Sequence, residues 1–396
     1  DSLTVLTYGS RSGTFGSGTD PNSLALVYGA TALNLLKTSG AANTWALTVG
    51  GDWNTAANWS LGHVPTSTEE GVVGDLSGTP TITLASGAPA AGAFRFFGDE
   101  TFQLNSGGTL TVSGASSMGA GSTLHINGGT LTMNGALSTA NLTLSSGTLT
   151  GTGAVTVNTA MNWSGGTQSG TGTTTVAAGG VLTISGGASK LLQDRTFTSN
   201  SVAGSTWSGA GAITRAAGGD GTFNNAGFLD AQSDAAFTHN IFNNSGTLTK
   251  SAGVSAKDFN LNSGSFNNTG TVNVNAGTIV LYGSGTDTGT YNIAGGSQVQ
   301  VGNRTFNAGA AVTGAGQLTA WTGTTNVNAA VAMSNLRIAG GTVQGSGTVT
   351  VSGAVDLQSG ALGGALNLTA NGALNWSGGS MAGTGTTTVV SAAVLT

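Results

Sequence analysis

The sequence predicts an all-β protein, a parallel β-solenoid, on three observations. Short stretches alternate apolar residues with Thr, Ser and Asn. Glycine-containing corners separate them. A unit of roughly 20 residues, holding two or three such stretches, recurs along the chain. Gly108-Thr109-Leu110-Thr111-Val112-Ser113-Gly114 and Gly129-Thr130-Leu131-Thr132-Met133-Asn134-Gly135 show the first two. Their period of two turns one face inward and one outward. Asn-Gly and Ser-Gly pairs supply residues that tolerate positive φ at the corners.

Taken in chain order, residues 1–43 read as a β-rich segment, the end of a preceding solenoid unit. Strands are expected at Leu3–Tyr8, Leu24–Val27 and Ala32–Leu36, with a polar turn over Gly9–Gly13. Residues 44–104 read as a separate Trp- and Pro-containing β module. Trp45, Trp53 and Trp59 fall within 15 positions and predict an aromatic cluster plugging the core; an aromatic sugar-binding platform is the functional alternative. All four prolines (Pro21, Pro65, Pro80, Pro89) lie in the first 90 residues. Proline cannot donate to a strand ladder, so its disappearance sets a boundary near residue 105. Residues 105–396 then read as solenoid repeats in coils of about 19–25 residues, roughly 13 of them at the usual inter-strand spacing, truncated in mid-strand at Thr396.

Internal repeats carry the architecture. Phe223-Asn224-Asn225-Ala226-Gly227 returns as Phe242-Asn243-Asn244-Ser245-Gly246 and as Phe266-Asn267-Asn268-Thr269-Gly270. These nine Phe and Asn residues are the structural ladder candidates. Stacked coil on coil, the asparagines would bond amide to amide. A longer repeat, offset by 213, matches Asn162-Trp163-Ser164-Gly165-Gly166 to Asn375-Trp376-Ser377-Gly378-Gly379. It also matches Thr171–Val176 to Thr384–Val389 and Val181-Leu182-Thr183 to Val394-Leu395-Thr396. A unit of several coils has been duplicated.

Composition narrows the function. The chain holds 69 glycines in 396 residues, and only 6% of it is charged, against about 25% in ordinary domains. Disorder is opposed by a hydrophobic content of 38%. The ten Lys and Arg are scattered singly, so no phosphate-neutralising patch exists and no nucleic-acid partner is expected. No apolar run is long enough for a transmembrane helix. Without cysteine there are no disulfides, thiolate metal sites or Cys nucleophiles.

Chemistry-bearing residues are few. His63, His125 and His239 are far apart and follow no metal or nucleophile motif. Asp230 with Asp234, Asp220, and the Glu69-Glu70 pair are the carboxylates that a polysaccharide-active β-helix would need at about 5–10 Å separation. Neither a basic cluster nor an adjacent His accompanies them. Gly218-Gly219-Asp220-Gly221 is one imperfect echo of a calcium-binding nonapeptide and reads as a tight turn. Thr173–Thr175 and Thr386–Thr388 raise ice binding as a rival, which requires threonines at one place in successive coils. The expectation is no catalytic residue, no metal and no cofactor.

The Phe-Asn-Asn-x-Gly units and the Gly-Thr-Leu-Thr strands at 108, 129 and 147 resemble the passenger or repeat regions of large bacterial autotransporter and filamentous-haemagglutinin-like surface proteins. The segment Asp52-Trp53-Asn54 through Asn58-Trp59-Ser60 to Val64-Pro65 resembles a module placed before such repeats. The resemblance implies a right-handed parallel β-helix, secretion to the extracellular space or bacterial cell surface, and a non-enzymatic, adhesin-like role as structural rod or filament segment. Open solenoid ends expose unpaired backbone groups, so the expected partners are the chain itself, end to end, or other copies of the repeat. A binding module for a surface glycan or protein, with exposed aromatics around Trp207, Trp321 or Tyr282, is the alternative.

Overall fold

A computed structural model describes residues 2–7, 24–28, 32–37, 41–215, 218–261, 264–390 and 392–396. It is all-β, a parallel β-solenoid of about 16 turns. Two compact units are distinguished: residues 1–183 with 194–197, and residues 184–193 with 198–396.

In the first unit the solenoid begins at Ala41, well before residue 105. Ala41–Thr44 pairs parallel with Glu69–Val73, which pairs parallel with Ala93–Phe96. The expected boundary falls at the end of Thr101–Asn105, a strand paired parallel on both sides, with Thr81–Leu84 and Thr123–Met133. The proline rule still holds locally: Pro65, Pro80 and Pro89 all stand between strands, where a missing N–H costs no ladder bond. Pro21 and the turn Gly9–Gly13 lie outside the described residues. Residues Ser2–Thr7, Leu24–Tyr28 and Ala32–Lys37 form strands, but they pair antiparallel, with Ala32–Lys37 in the middle. A solenoid end would pair parallel.

From Thr167–Gln168 to Gln317–Ala320 each strand pairs with the strand three further on, one for each face of a coil; elsewhere faces run together into long strands, as in Thr123–Met133 and Leu137–Thr150, which pair with each other directly. The inward residues stack in columns. Ile82, Phe102, Leu124, Leu142 and Met161 form one; Leu84, Leu104, Ile126, Leu144 and Trp163 form the next. All ten are fully buried, each contributing about 1.5–3 kcal/mol by area removed from water. Coil length varies from 18 residues (Thr123 with Asn141) to 26 (Thr198 with Asn224). Corners absorb this variation, so registers within strands are kept. The first coil is the exception, with Ala41 opposite Glu69 and Gly51 opposite Ile82. Its extra residues carry Trp53, Trp59 and the 3-10 turn Ala56–Asn58.

The second unit repeats the plan. Leu229, Leu248, Val272, Tyr291 and Val312 stack in register, as do Ile279, Val299 and Leu318. No helix among the described residues is long and apolar enough to cross a membrane.

Candidate functional site: stacked asparagine and phenylalanine ladders

The three Phe-Asn-Asn strands, Thr222–Asn225, Ile241–Asn244 and Ser265–Asn268, lie on one another in register. Alternation gives each residue a separate environment. Phe223, Phe242 and Phe266 point inward and stack nearly parallel, with centroids 5.1 and 5.3 Å apart. Phe237 and Phe259 meet Phe242 edge-on, the arrangement that the ring quadrupole favours.

Two residues on, Asn225, Asn244 and Asn268 also point inward and are fully buried. Asn225 Nδ2 donates to Asn244 Oδ1 and Asn244 Nδ2 to Asn268 Oδ1, each at 2.8 Å. The second amide hydrogens reach carbonyls one corner along, at Thr247 and Thr271. Between the two inward positions, Asn224, Asn243 and Asn267 point outward and form a second chain, with Nδ2–Oδ1 distances of 2.9 Å. An amide carries donor and acceptor at opposite ends, so identical amides one rung apart satisfy each other.

Opposite Asn268 in the next coil stands Asp287. Arg304 Nε donates to Asp287 Oδ2 at 3.0 Å and Arg304 Nη2 to Oδ1 at 2.5 Å, and the Tyr291 hydroxyl donates to Oδ1 at 2.5 Å. Arg304 Nη1 also donates to the Phe266 carbonyl. All three side chains are buried. Burial works against the Arg304 charge, but Tyr291 and Asp287 outweigh it and hold the guanidinium above its usual range. Gly285 makes room for it, since a Cβ there would lie 2.0 Å from Nη1.

The aromatic cluster of the first unit is interior. Trp53 and Trp59 are fully buried and Trp45 nearly so. Trp59 meets Trp53 edge-on at 4.6 Å and Trp45 at 5.1 Å, and Trp53 packs on Phe102 at 4.8 Å. Trp59 Nε1 donates to the Trp53 carbonyl at 2.7 Å. Gly71 leaves space for the Trp53 ring, which a Cβ would approach to 2.8 Å. These rings cannot form a sugar platform, because their faces are occupied by the protein. Trp207 is likewise fully buried, whereas Trp321 is 45% exposed.

Most of the carboxylate and histidine candidates hold hydrogen bonds or ion pairs with other groups, whereas Asp230 Oδ1 and His239 Nδ1 are buried without a partner among the described residues. Asp234 accepts from Lys250 Nζ at 2.7 Å and from Ser255 N at 3.0 Å. Asp230 accepts from Gln232. Asp220, in the Gly-Gly-Asp-Gly turn, pairs with Arg215. Buried Glu70 pairs with Arg95 at 2.9 Å. His63 contacts Glu69 at 3.0 Å, and that hydrogen bond raises the imidazole pKa. For Glu69, burial pushes upward, but hydrogen bonds from Thr66 and His63 outweigh it and lower the carboxyl. His125 contacts Ser145 Oγ at 3.0 Å, and burial lowers its pKa. His239 sits at a corner with φ of 63°.

Several charged residues in interior positions escaped the sequence reading. Arg195 is buried with no carboxylate partner among the described residues, donating to Thr174 Oγ1 and to the carbonyls of Ser169 and Thr173 at 2.8–3.0 Å. Burial lowers its pKa to about 10. Lys190 is held by the carbonyls of Gly186 and Ala188. Asp75, Asp99 and Glu100 each bring one oxygen within 4.8 Å of the others. Both Glu100 oxygens already accept backbone N–H groups, from Leu76 at 2.6 Å and Gly98 at 3.1 Å, so Glu100 is tied to the turn, while Asp99 is exposed.

Of the two Thr triplets, Thr174 is buried, while Thr173 and Thr175 face outward opposite Ala154 and Thr156. Thr388 stacks on Thr369 and Thr350, and Thr386 Oγ1 is bonded to Asn367. No protein-family model, curated protein or solved structure matches the chain.

Proposed function

We propose that the chain is a structural segment of an exported, surface-displayed bacterial protein, in which stacked coils serve as a spacer that lengthens by duplication. The observation that carries this reading is the 213-residue repeat, whose two copies keep the same glycine corners, although Trp163 is buried and Trp376 48% exposed. Gly166 and Gly379, at matched positions, have φ of 75° and 76°; Gly170 and Gly383, also matched, are both left-handed. Trp163 and Trp376 each end a strand that enters such a corner. A block of coils copied whole can keep its corners and columns because each coil rests only on its neighbours. Antibodies raised against the 396-residue chain should label intact cells that produce the protein. Labelling seen only after permeabilisation would overturn surface display.

A binding module is the second reading, favoured by one juxtaposition. Leu281, Val301 and Ala320 are stacked in register, which places Tyr282, Gly302 and Trp321 on successive rungs. Two aromatics thus flank a glycine at the end of one face, Trp321 partly exposed. Replacing Trp321 by Ala should abolish retention on whichever surface glycan the chain is found to bind; unchanged retention would remove this reading.

A further inference from the structure

The Gly-Thr-Leu-Thr strands of the first unit are stacked in a way the spacer role does not require. Thr109 lies opposite Thr130, Thr130 opposite Thr148, and Thr148 opposite Thr167. Thr111 lies opposite Thr132, and Thr132 opposite Thr150. Leu110, Leu131 and Leu149 lie between them and point inward, fully buried, so the seven threonines share one outward face in two columns. Rungs repeat at about 4.8 Å, and columns stand two residues apart, about 6.6 Å. The result is a two-dimensional lattice of hydroxyl and methyl groups with no charged side chain in it.

Three further features set this face apart. All seven threonines are partly exposed, and no hydroxyl among them bonds to another described residue. The outward side chains of the adjoining face do bond from coil to coil: His125 with Ser145, Ser145 with Asn127, and Asn127 with Asn105. Finally, the lattice is rigidly mounted. A Cβ on Gly147 would lie 2.2 Å from the Gly129 carbonyl, so the coils approach as closely as glycine permits. Arg195 ties down the corners that follow, through Ser169 and Thr173.

We propose that this threonine face binds ice. Donors and acceptors fixed at a regular repeat, unengaged within the protein and interleaved with methyl groups, suit a ligand that is itself a lattice of water. A sugar polymer would call for exposed aromatic rings or for side-chain amides and carboxylates, and the lattice carries none. Coil lengths vary, but the variation is absorbed at the corners, leaving these four rungs in register.

The test is incorporation of the 396-residue chain into a slowly growing ice hemisphere, with strand content followed by circular dichroism. The chain should enter the ice. Thr130→Lys with Thr148→Lys should exclude it, and Thr156→Lys, on another face, should not. Should the double lysine variant lose its strand signal, Thr130→Ser with Thr148→Ser, which removes only two methyl groups, should weaken incorporation. Exclusion of the folded unmodified chain would overturn the proposal, as would unchanged incorporation of either folded double variant. Retention on crystalline cellulose or self-association, lost in the double variant without ice binding, would overturn it in favour of that ligand. None of these outcomes bears on surface display, which cell labelling tests separately.

Discussion

In the coils of Phe223, Phe242 and Phe266, the polar side chains bond to one another from rung to rung. In the coils of Leu110, Leu131 and Leu149, the outward threonines bond to no other described residue. Both stacks have the same rung spacing and the same apolar column behind them. The difference lies in the reach of the side chain. An asparagine amide holds donor and acceptor apart, so it spans a rung of about 4.8 Å and closes bonds of 2.8–2.9 Å. A threonine hydroxyl carries both functions on one atom, and an O–H···O bond is only about 2.8 Å long. Two such hydroxyls must lean together to meet, as Thr214 and Thr238 do at 2.9 Å. Asparagine columns therefore join coils, and threonine columns leave their hydroxyls to solvent or a ligand.

The strongest test of this contrast lies where the inner amide column meets charge. Asp287→Ala removes the carboxylate that receives Arg304 in a bidentate pair and leaves a buried guanidinium without its counter-ion. A loss of about 3–5 kcal/mol is expected, read from urea unfolding. A loss below about 1 kcal/mol would mean that the carbonyls of Phe266 and Ser284 suffice for Arg304, as carbonyls and one hydroxyl do for Arg195.

A smaller effect separates the two faces of a single strand. Asn244→Ala deprives Asn225 and Asn268 of their shared partner inside the core and should cost about 1–3 kcal/mol for the stranded groups. Asn243→Ala, one residue away, breaks the outward chain, where water replaces the lost bonds, and should stay within about 0.5 kcal/mol. Urea midpoints of the two variants compare them directly. Equal losses would show that burial does not distinguish the two columns.

The sequence carried more of the fold than of the interior chemistry. Alternation and the Phe-Asn-Asn recurrence identified the solenoid and the ladder strands, because a period of two and a recurring corner each leave a mark on composition. The start of the solenoid was misplaced, because Trp53 and Trp59 lengthen one coil beyond the repeat that the eye follows, although Ala41–Thr44 already pairs in the parallel frame. The buried cations were missed for another reason. Arg195 stands two residues before buried Phe197, Arg304 two before Phe306, Lys190 two before Leu192, and Lys250 two after Leu248. Strand parity put all four inward; charge argued outward, and parity prevailed because corner carbonyls and Asp234 or Asp287 receive them. The threonine lattice was written in the Gly-Thr-Leu-Thr strands, but only the register shows that threonine meets threonine.

The smallest expected effect decides what that register is for. Thr130→Val keeps the β-branched shape and the methyl packing against Thr109 and Thr148, and it removes one hydroxyl with no partner among the described residues. On a partly exposed strand position the change in stability should fall within about 0.5 kcal/mol of zero, measured by thermal unfolding at matched concentration. A loss above about 1.5 kcal/mol would mean that the hydroxyl is engaged after all, and the threonine face would then belong with the asparagine columns as mortar between coils. A near-zero change leaves the array unexplained by stability, because seven aligned hydroxyls that do not hold the coils together need some other reason to be aligned.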